Sequence, residues 1–288
     1  MKDVKVFGRG ETRVGVREIA PDIYWLDHCL GGYAPKYLKI MYSNMASYPG
    51  AETGLKNRPI ENTLSSYLIV DKKTILLDTM GPAQGGNIIK GIKHVLGDRP
   101  LDYIWISHVE LNHAGTTPFL LQAFPKAKLI ALKGGHHYKV HGLENSERVG
   151  VGDVIDLGDH SIEIVDPIVV DHGLTQWAYE RTSGLLCTVD WAANFHPMGE
   201  CFKFLDEIGE LSPHLLADIT IVLRYTFPWL AWTDAKQIVA AVDDLFDRDV
   251  KLFAPMHAPI VRTNIDKYAE ILKQAMIDSA TLPFCLAA

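Results

Sequence analysis

Four short segments of this sequence carry side chains of the kind that hold divalent metal ions, and each follows a hydrophobic run. The first is HVELNH, which comes directly after the strand-like run YIWIS. Imidazole and carboxylate groups are ordinary protein ligands of divalent metals. Because loops that leave neighbouring strands meet at one edge of a sheet, the segments predict a metal site there. The candidate ligands are His108, Glu110 and His113 in HVELNH, His172 in VVDHG, Asp190 in LCTVDW and His257 in FAPMHAP.

The spacing inside HVELNH predicts two metal positions. In an extended or tightly turning loop, His108 and Glu110 can point to one side, while Asn112 and His113 address a second position. The carboxylate of Asp190 could bridge two ions, because each of its oxygens can bind one. Two cations about 3.5–4 Å apart are the usual arrangement for hydrolysis or for activation of a small molecule. The remaining ligands would be His172 for the first ion and His257 for the second.

The order and spacing of these residues resemble the metallo-β-lactamase superfamily over roughly residues 20–280. The glutamate of HVELNH makes the sequence most similar to the flavodiiron branch, whose signature is HxExDH followed by His, a bridging Asp and His. The resemblance implies an α/β (α+β) fold, a four-layer αββα sandwich with the metal ions at one edge. It also implies that Asp78 in TILLDT supports the ligands from behind, as the family's strand-borne aspartate does.

The same resemblance assigns ligands to each ion. The first ion would be bound by His108, Glu110, His172 and Asp190, and the second by Asn112, His113, Asp190 and His257. Asn112 departs from the family pattern, which has a carboxylate at this position. A neutral amide oxygen binds a cation more weakly than a carboxylate, so we expect the second ion to bind less tightly. A single-metal site is the alternative.

The expected cofactors are two divalent metal ions, with iron, zinc and manganese as candidates. Flavodiiron proteins normally append a flavodoxin-like domain that supplies electrons. This sequence ends at Ala288 and contains no Gly-rich or Ser/Thr-rich phosphate loop suited to FMN, so we expect that the chain binds no flavin. Stand-alone diiron relatives exist in that branch, and redox chemistry would then need an external electron donor.

Two enzymatic hypotheses use the same residues, with Asp190 and Glu110 as catalytic carboxylates. The first is a hydrolase of a small aromatic molecule (an ester, a lactone or an activated aryl ether), in which a metal-bound hydroxide attacks carbon. Neutral Asn112, the aromatic segments and the missing flavin domain favour it. The alternative is a stand-alone diiron protein that binds or reduces O2 or NO, which Glu110 favours because hydrolase branches usually carry His there. A further alternative is a non-catalytic partner subunit of an active paralogue.

Other candidate positions rest on less specific patterns. Asp171 could orient the neighbouring His172. The alternative is that Asp171 is simply exposed to solvent. Trp229 and Trp232 in YTFPWLAW could form one wall of a substrate pocket, with Tyr33 on the opposite wall. Core packing or a contact between subunits is the alternative for the tryptophans. A homo-oligomer is expected, and a related subunit could take part in it.

Hydrophobic periodicity predicts the elements that position these residues. The predicted strands are Asp22–Leu26, Thr63–Val70, Thr74–Thr79, Tyr103–Ser107, Lys128–Leu132, Asp153–Leu157, Ser161–Val165, Leu185–Val189 and Lys251–Ala254. The predicted helices are Gly86–Gly97, Thr116–Phe124, Thr233–Leu245 with a Thr cap, and Asn264–Ala280 capped by Asn264. Ile219–Arg224 is predicted to be either another strand or the end of a helix. No linker divides the chain, so a single domain over residues 1–288 is predicted.

Composition excludes several classes of protein. The 28 Lys+Arg and 35 Asp+Glu residues give a formal net charge of −7 without any basic run, which argues against nucleic acid as a partner. No apolar stretch approaches about 18 residues, so no membrane span is predicted. The charged N-terminus does not resemble a secretory signal. The four widely spaced cysteines predict reduced thiols in a cytoplasmic protein. The partner expected from the candidate metal site is a small-molecule substrate.

Overall fold

The structure is a computed structural model that describes residues 3–30, 58–133, 145–209 and 214–281. These residues belong to two compact units. The first comprises Met1–His28, Leu64–Pro167 and His172–Ser183, and the second comprises Cys29–Thr63, Ile168–Asp171 and Gly184–Ala288. Each unit is assembled from separate stretches of sequence, and the single domain expected over residues 1–288 stays a prediction.

A long β-sheet frames the first unit, although two of its strands, β3 and β4, extend beyond that unit. The strands are β1 (Val4–Phe7), β2 (Val14–Ala20), β3 (Ile23–Leu30), β4 (Ile60–Val70), β5 (Thr74–Leu77), β6 (Tyr103–Trp105), β7 (Lys128–Leu132) and β8 (Glu147–Val149), in that spatial order. Pairing is antiparallel from β1 to β3 and between β4 and β5, and it is parallel from β5 to β8. The predicted hairpin around the polar turn Asp71–Lys73 is therefore present.

The parallel part of this sheet determines where the first candidate ligands lie. β5 and β6 are paired from Ile75 and Tyr103 to Leu77 and Trp105, so both strands end at the same edge. The four residues of β5 are all buried, which agrees with the continuous hydrophobic run TILL. Asp78 follows β5 directly, and the HVELNH segment follows shortly after β6. The two segments therefore meet where the strands end.

Three helices and a smaller group of strands are the other elements among the described residues of the first unit. They are α1 (Gly85–Leu96), α2 (Leu111–Ala114), α3 (Thr117–Ala123), β9 (Val154–Asp156), β10 (Ser161–Val165) and β11 (Trp177–Glu180). Ile88, Ile92 and Leu96 form the buried face of α1, at the helical spacing that the sequence predicted. β10 pairs in antiparallel fashion with both β9 and β11, which includes the predicted hairpin around Gly158.

In the part of the second unit that the structure describes, short strands are combined with four helices. They are β12 (Leu185–Cys187), β13 (His196–Pro197), α4 (Leu205–Ile208), α5 (Leu215–Thr226), α6 (Ala235–Phe246), β14 (Leu252–Phe253) and α7 (Ile265–Thr281). β12 pairs in parallel with β14, and β13 pairs with the first residues of β4. α7 packs against α5 and α6. Among the helices of the described residues, none has the length and apolar character needed to cross a membrane.

Two local predictions for this unit are resolved or corrected. Ile219–Arg224, which was open between strand and helix, lies inside α5. The predicted Thr cap of α6 is wrong, because the Asp234 side chain accepts the hydrogen bond from Lys236 N. Thr233 instead donates its hydroxyl to Leu230 O at 2.6 Å, which closes the preceding 3-10 turn. Aspartate is as good an N-cap as threonine or better, and it stands one residue nearer the helix.

The prediction that all cysteines are reduced thiols is also corrected. Cys29 and Cys201 are joined by a disulfide across 172 residues of sequence. Cys187 is buried and outside any disulfide, and Cys285 lies outside the described residues. Spacing along the chain could not reveal the pair, because β-sheet pairing rather than sequence proximity brings it together.

Gly184 is a position at which the fold requires glycine, immediately before β12. Its φ is +69°, and a Cβ built on it would lie 2.3 Å from the backbone oxygen of Asp249. We expect Gly184→Ala to lower the free energy of unfolding by about 2–4 kcal/mol, since a left-handed alanine and a backbone clash both cost energy. Urea denaturation measures the change. Gly86→Ala is the control, because its Cβ would meet nothing within 4 Å inside α1; a Gly184→Ala variant as stable as this control would contradict the prediction.

Candidate metal centre

Asp78 anchors the loop that follows β6. Its fully buried carboxylate accepts hydrogen bonds from Ser107 N at 2.8 Å and from the Ser107 hydroxyl at 2.7 Å. The same carboxylate lies 2.7 Å from His113 Nδ1. One side chain therefore fixes both ends of the segment that runs from Ser107 to His113.

These contacts determine which ring nitrogens of the two histidines carry protons. His113 Nδ1 must donate to Asp78, because an ionised carboxylate only accepts. The Ser107 hydroxyl already donates to Asp78, so it accepts from His108 Nδ1 at 3.1 Å. In the neutral form of both rings, Nε2 then carries no proton and can bind a metal ion.

His108, Glu110 and His113 form a compact set of candidate ligands in the first unit. Each offers one ligand atom, and these atoms lie within 4.8 Å of one another. His108 Nε2 is 3.2 Å from Glu110 Oε2, and the centroids of the two imidazole rings are 4.2 Å apart. Both imidazoles are buried, whereas 51% of the Glu110 side chain is exposed. The set could hold a metal ion that solvent reaches from the side of Glu110.

His172 differs from these two histidines in its hydrogen bonding. Its ring stacks against that of His108 with centroids 5.9 Å apart, so it lies beside the set. However, Leu174 N donates to His172 Nδ1 at 3.2 Å. This hydrogen bond places the proton of the neutral ring on Nε2, and the proton would have to move to Nδ1 before Nε2 could bind a metal.

Asp190 and His257 form a second pair of candidate ligands, within the second unit. Asp190 follows β12 and His257 follows β14, and the parallel pairing of these strands brings their ends together. His257 Nε2 lies 3.0 Å from Asp190 Oδ1, and His257 Nδ1 lies 3.0 Å from Thr63 O. Because a carbonyl oxygen only accepts, Nδ1 carries a proton, and in the neutral ring the unprotonated Nε2 faces the Asp190 carboxylate. A cation between these two acceptor atoms would make their close approach favourable. The pair thus has the same tautomer as His108 and His113.

The other candidate positions have diverse surroundings. Asn112 lies in α2 and is half-buried, with its Oδ1 on the side of Gly81. Asp171 is exposed. Trp229 Nε1 donates to Val170 O at 3.3 Å, and Trp232 is 84% exposed. Tyr33 lies outside the described residues. The substrate wall and the homo-oligomer that these aromatic residues suggested stay predictions.

Residues that orient the ligands were missed in the sequence. Ser107 holds His108, and Thr63 holds His257 through its backbone oxygen. Asn62 donates its amide to the backbone oxygens of both Asn194 and His257, at 2.9 and 3.0 Å. Only Ser107 had a local indication, since a hydroxyl directly before a candidate ligand can hydrogen-bond it. Thr63 and Asn62 act across more than 130 residues of sequence.

Part of the sequence matches a known family, and several curated proteins are similar to it. The family described as the metallo-beta-lactamase superfamily matches residues 62–194. A rubredoxin-oxygen oxidoreductase of Megalodesulfovibrio gigas is 33% identical over 104 residues, which are 33% of this chain and 26% of that protein. Two curated relatives with longer matches show the same partial coverage: the chain spans 36% of the putative diflavin flavoprotein A 2 of Nostoc sp. (28% identical) and 52% of the uncharacterized protein MJ0732 of Methanocaldococcus jannaschii (27% identical).

Solved structures show the same fold. The rubredoxin oxygen:oxidoreductase from Desulfovibrio gigas aligns with a TM-score of 0.71 and 19% identity, over 93% of this chain and 62% of that one. The metal-soaked Flv1 flavodiiron core from Synechocystis sp. PCC6803 aligns with a TM-score of 0.70 and 21% identity, over 92% and 61%. The predicted α/β (α+β) class and αββα architecture are confirmed. Residues 62–194 are thus similar to the metallo-β-lactamase superfamily, and the chain has the fold of the lactamase-like cores of flavodiiron proteins.

Proposed function

We propose that this chain is a diiron protein that binds and reduces dioxygen, with nitric oxide as an alternative substrate. The observation that carries the proposal is the set of His108, Glu110 and His113, in which a carboxylate stands beside two imidazoles. Mixed imidazole and carboxylate ligands with an open position suit non-haem iron. The name of the relative from M. gigas, a rubredoxin-oxygen oxidoreductase, supports the same chemistry and suggests a small redox protein as the electron donor.

The residues of each unit fit the binding of iron. In this proposal the first ion is bound by His108, Glu110, His172 and Asp190, and the second by Asn112, His113, Asp190 and His257. The tautomers support it, because Nε2 of His108, His113 and His257 carries no proton in the neutral rings. For His108 and His257 this nitrogen faces a carboxylate, and a cation between the two acceptors would make that contact favourable. Only His172 would have to transfer its proton from Nε2 to Nδ1.

The chain's own residues keep the metal ligands in position and leave the site open to solvent. When bound, two ferrous ions would supply electrons to dioxygen, and an external donor would return electrons to the oxidised ions. Asp78 and Ser107 keep the Nδ1 protons of His113 and His108 in place, so neither ring turns away. Glu110 is half-exposed and lies beside His108, so water can reach the site along its carboxylate.

A binuclear hydrolase of a small aromatic ester, lactone or aryl ether is the second candidate. The neutral side chain of Asn112 favours it. A metal site with one carboxylate fewer compensates the charge of ferric ions poorly, and it compensates the smaller charge of divalent zinc or manganese ions better. In this case a metal-bound hydroxide would be the nucleophile. Asp190 and Glu110 would serve as ligands in either reaction.

Metal content and gas reactivity together test the proposal. We expect purified protein to contain about two iron ions per chain, and the reduced protein to change its visible absorption on exposure to oxygen and to consume oxygen when supplied with reductant. His108→Ala and zinc-loaded wild type are the controls, and both should be inactive. Absence of any oxygen or nitric oxide reaction in the iron-loaded wild type would contradict the proposal. Turnover of a panel of aryl esters and lactones by the zinc or manganese form would support the hydrolase instead.

A further inference from the structure

A second cluster of metal-binding side chains lies within the second unit, and no motif in the sequence indicated it. Cys29 stands near the end of β3, Glu61 in β4, His196 in β13, and Cys201 in the turn after β13. All four residues are buried, with exposed fractions of 1–3%. Each offers one ligand atom, and the four atoms lie within 4.8 Å of one another. The strand pairing that places His196 opposite Glu61 builds the cluster into the sheet.

Two distances between the sulfurs and the other ligand atoms are close to those in a tetrahedral zinc site. With zinc–sulfur bonds of about 2.3 Å and zinc–nitrogen or zinc–oxygen bonds of about 2.1 Å, neighbouring ligand atoms in a tetrahedron lie about 3.6 Å apart. Cys29 Sγ is 3.5 Å from His196 Nε2, and Cys201 Sγ is 3.3 Å from Glu61 Oε2. Two sulfurs, one imidazole nitrogen and one carboxylate oxygen are all ligands that zinc accepts.

Neighbouring backbone groups orient two of the four ligands. His196 Nδ1 donates to Pro197 O at 2.9 Å, so Nε2 of the neutral ring carries no proton and faces Cys29. Gly199 N donates to Glu61 Oε2 at 2.8 Å and fixes the carboxylate beside Cys201. Metal-binding imidazoles and carboxylates are commonly held in this way. Burying a carboxylate and an imidazole among sulfurs is costly unless something compensates their charge and lone pairs, which a cation would do.

The two cysteines are joined by a disulfide in the structure. Metal binding requires thiolates, so the disulfide and the metal-bound state exclude each other. Reduction by a dithiol would transfer two electrons and two protons to the disulfide, giving two thiols and an oxidised dithiol. Binding of Zn²⁺ would then release both thiol protons and form two zinc–sulfur bonds.

We propose that Cys29, Glu61, His196 and Cys201 form a thiol-controlled zinc site, which is closed by a disulfide when oxidised and binds one Zn²⁺ when reduced. This site is separate from the proposed iron ligands, none of which is a cysteine. It therefore stands or falls independently of the oxygen chemistry.

Cobalt substitution in the full chain tests the proposal. The protein is first reduced with a dithiol, and the dithiol is then removed. Co²⁺ added to this protein should produce the near-ultraviolet sulfur-to-cobalt absorption of a tetrahedral thiolate site. About one equivalent of Zn²⁺ should abolish that absorption. Untreated, disulfide-bonded protein should show no such absorption. The absorption should be lost in Cys29→Ser and in His196→Gln. It should persist in Cys187→Ser, Cys285→Ser and His108→Ala.

Alkylation of the cysteines in wild-type protein tests the same proposal without variants, so it remains decisive if the cluster variants do not fold. In reduced wild type, Zn²⁺ should slow alkylation of Cys29 and Cys201 at least tenfold, as measured by mass spectrometry, and leave the rate at Cys285 unchanged. A reduced wild-type protein without the cobalt–sulfur absorption would overturn the proposal. So would an absorption that depends on Cys187 or Cys285, or equal alkylation rates with and without Zn²⁺.

Discussion

Asp78→Ala is expected to weaken metal binding by about 10- to 100-fold and to lower the free energy of unfolding by about 3–5 kcal/mol. The carboxylate accepts two hydrogen bonds from Ser107 and one from His113, all in a fully buried position. Alanine would leave these donors without an acceptor and would free both imidazoles to turn. It would also have to adopt the left-handed φ of 59° that Asp78 has, which alanine adopts at a cost.

Asp78→Asn separates the two expected effects of that change. Asparagine tolerates the left-handed backbone, and its amide oxygen can still accept from Ser107. Its amide group cannot serve both Ser107 and the Nδ1 proton of His113 as a carboxylate does. We therefore expect a smaller loss of stability, about 1–2 kcal/mol, with a loss of iron affinity close to that of alanine. Thermal unfolding and iron titration under anaerobic conditions measure both; an asparagine variant that binds iron like wild type would refute the role given to Asp78.

Most strands and helices were predictable because their patterns are local. TILL and YIW are short hydrophobic runs that end at polar residues, and α1 repeats hydrophobic residues at helical spacing. Ile219–Arg224 was ambiguous because β-branched residues favour strands in isolation. The run is helical in the structure because it continues the apolar face of α5, which packs against α7. Tertiary packing decides such cases, and a local pattern does not contain it.

The candidate ligands were predictable because their sequence pattern is also local. The residues that hydrogen-bond these ligands and orient them were not predictable. A polar residue that directly follows a buried strand marks the edge where parallel strands end, which singles out Asp78 and His108. The groups that fix tautomers come from distant parts of the chain, as with Thr63 O and His257. The disulfide between Cys29 and Cys201 depends on the fold in the same way. Single residues without a periodic neighbourhood give no indication of such partners.

Charge balance makes Asn112 the most informative position for the proposed diiron centre. Glu110 and Asp190 would supply two negative charges against the four positive charges of two ferrous ions. A carboxylate in place of Asn112 would bring the site closer to neutrality, and the attraction between a carboxylate and a divalent ion in a half-buried site amounts to several kcal/mol before desolvation is subtracted. Asparagine and aspartate have nearly the same shape, so the substitution changes charge with little change in packing.

Asn112→Asp is therefore expected to tighten binding of the second iron ion by about tenfold to a hundredfold, and to leave the first ion little changed. Stepwise iron titration under anaerobic conditions, with Mössbauer spectroscopy to distinguish the two sites, measures this directly. Asn112→Ala is the matched control, and because it removes the ligand oxygen, it should lower occupancy of the second site below that of wild type. Equal binding of the second ion by the aspartate, asparagine and alanine forms would show that residue 112 does not contact the metal. Tighter binding in the aspartate form and weaker binding in the alanine form would mean that wild-type Asn112 is a weak ligand, and that the neutral amide keeps the affinity of the second site low.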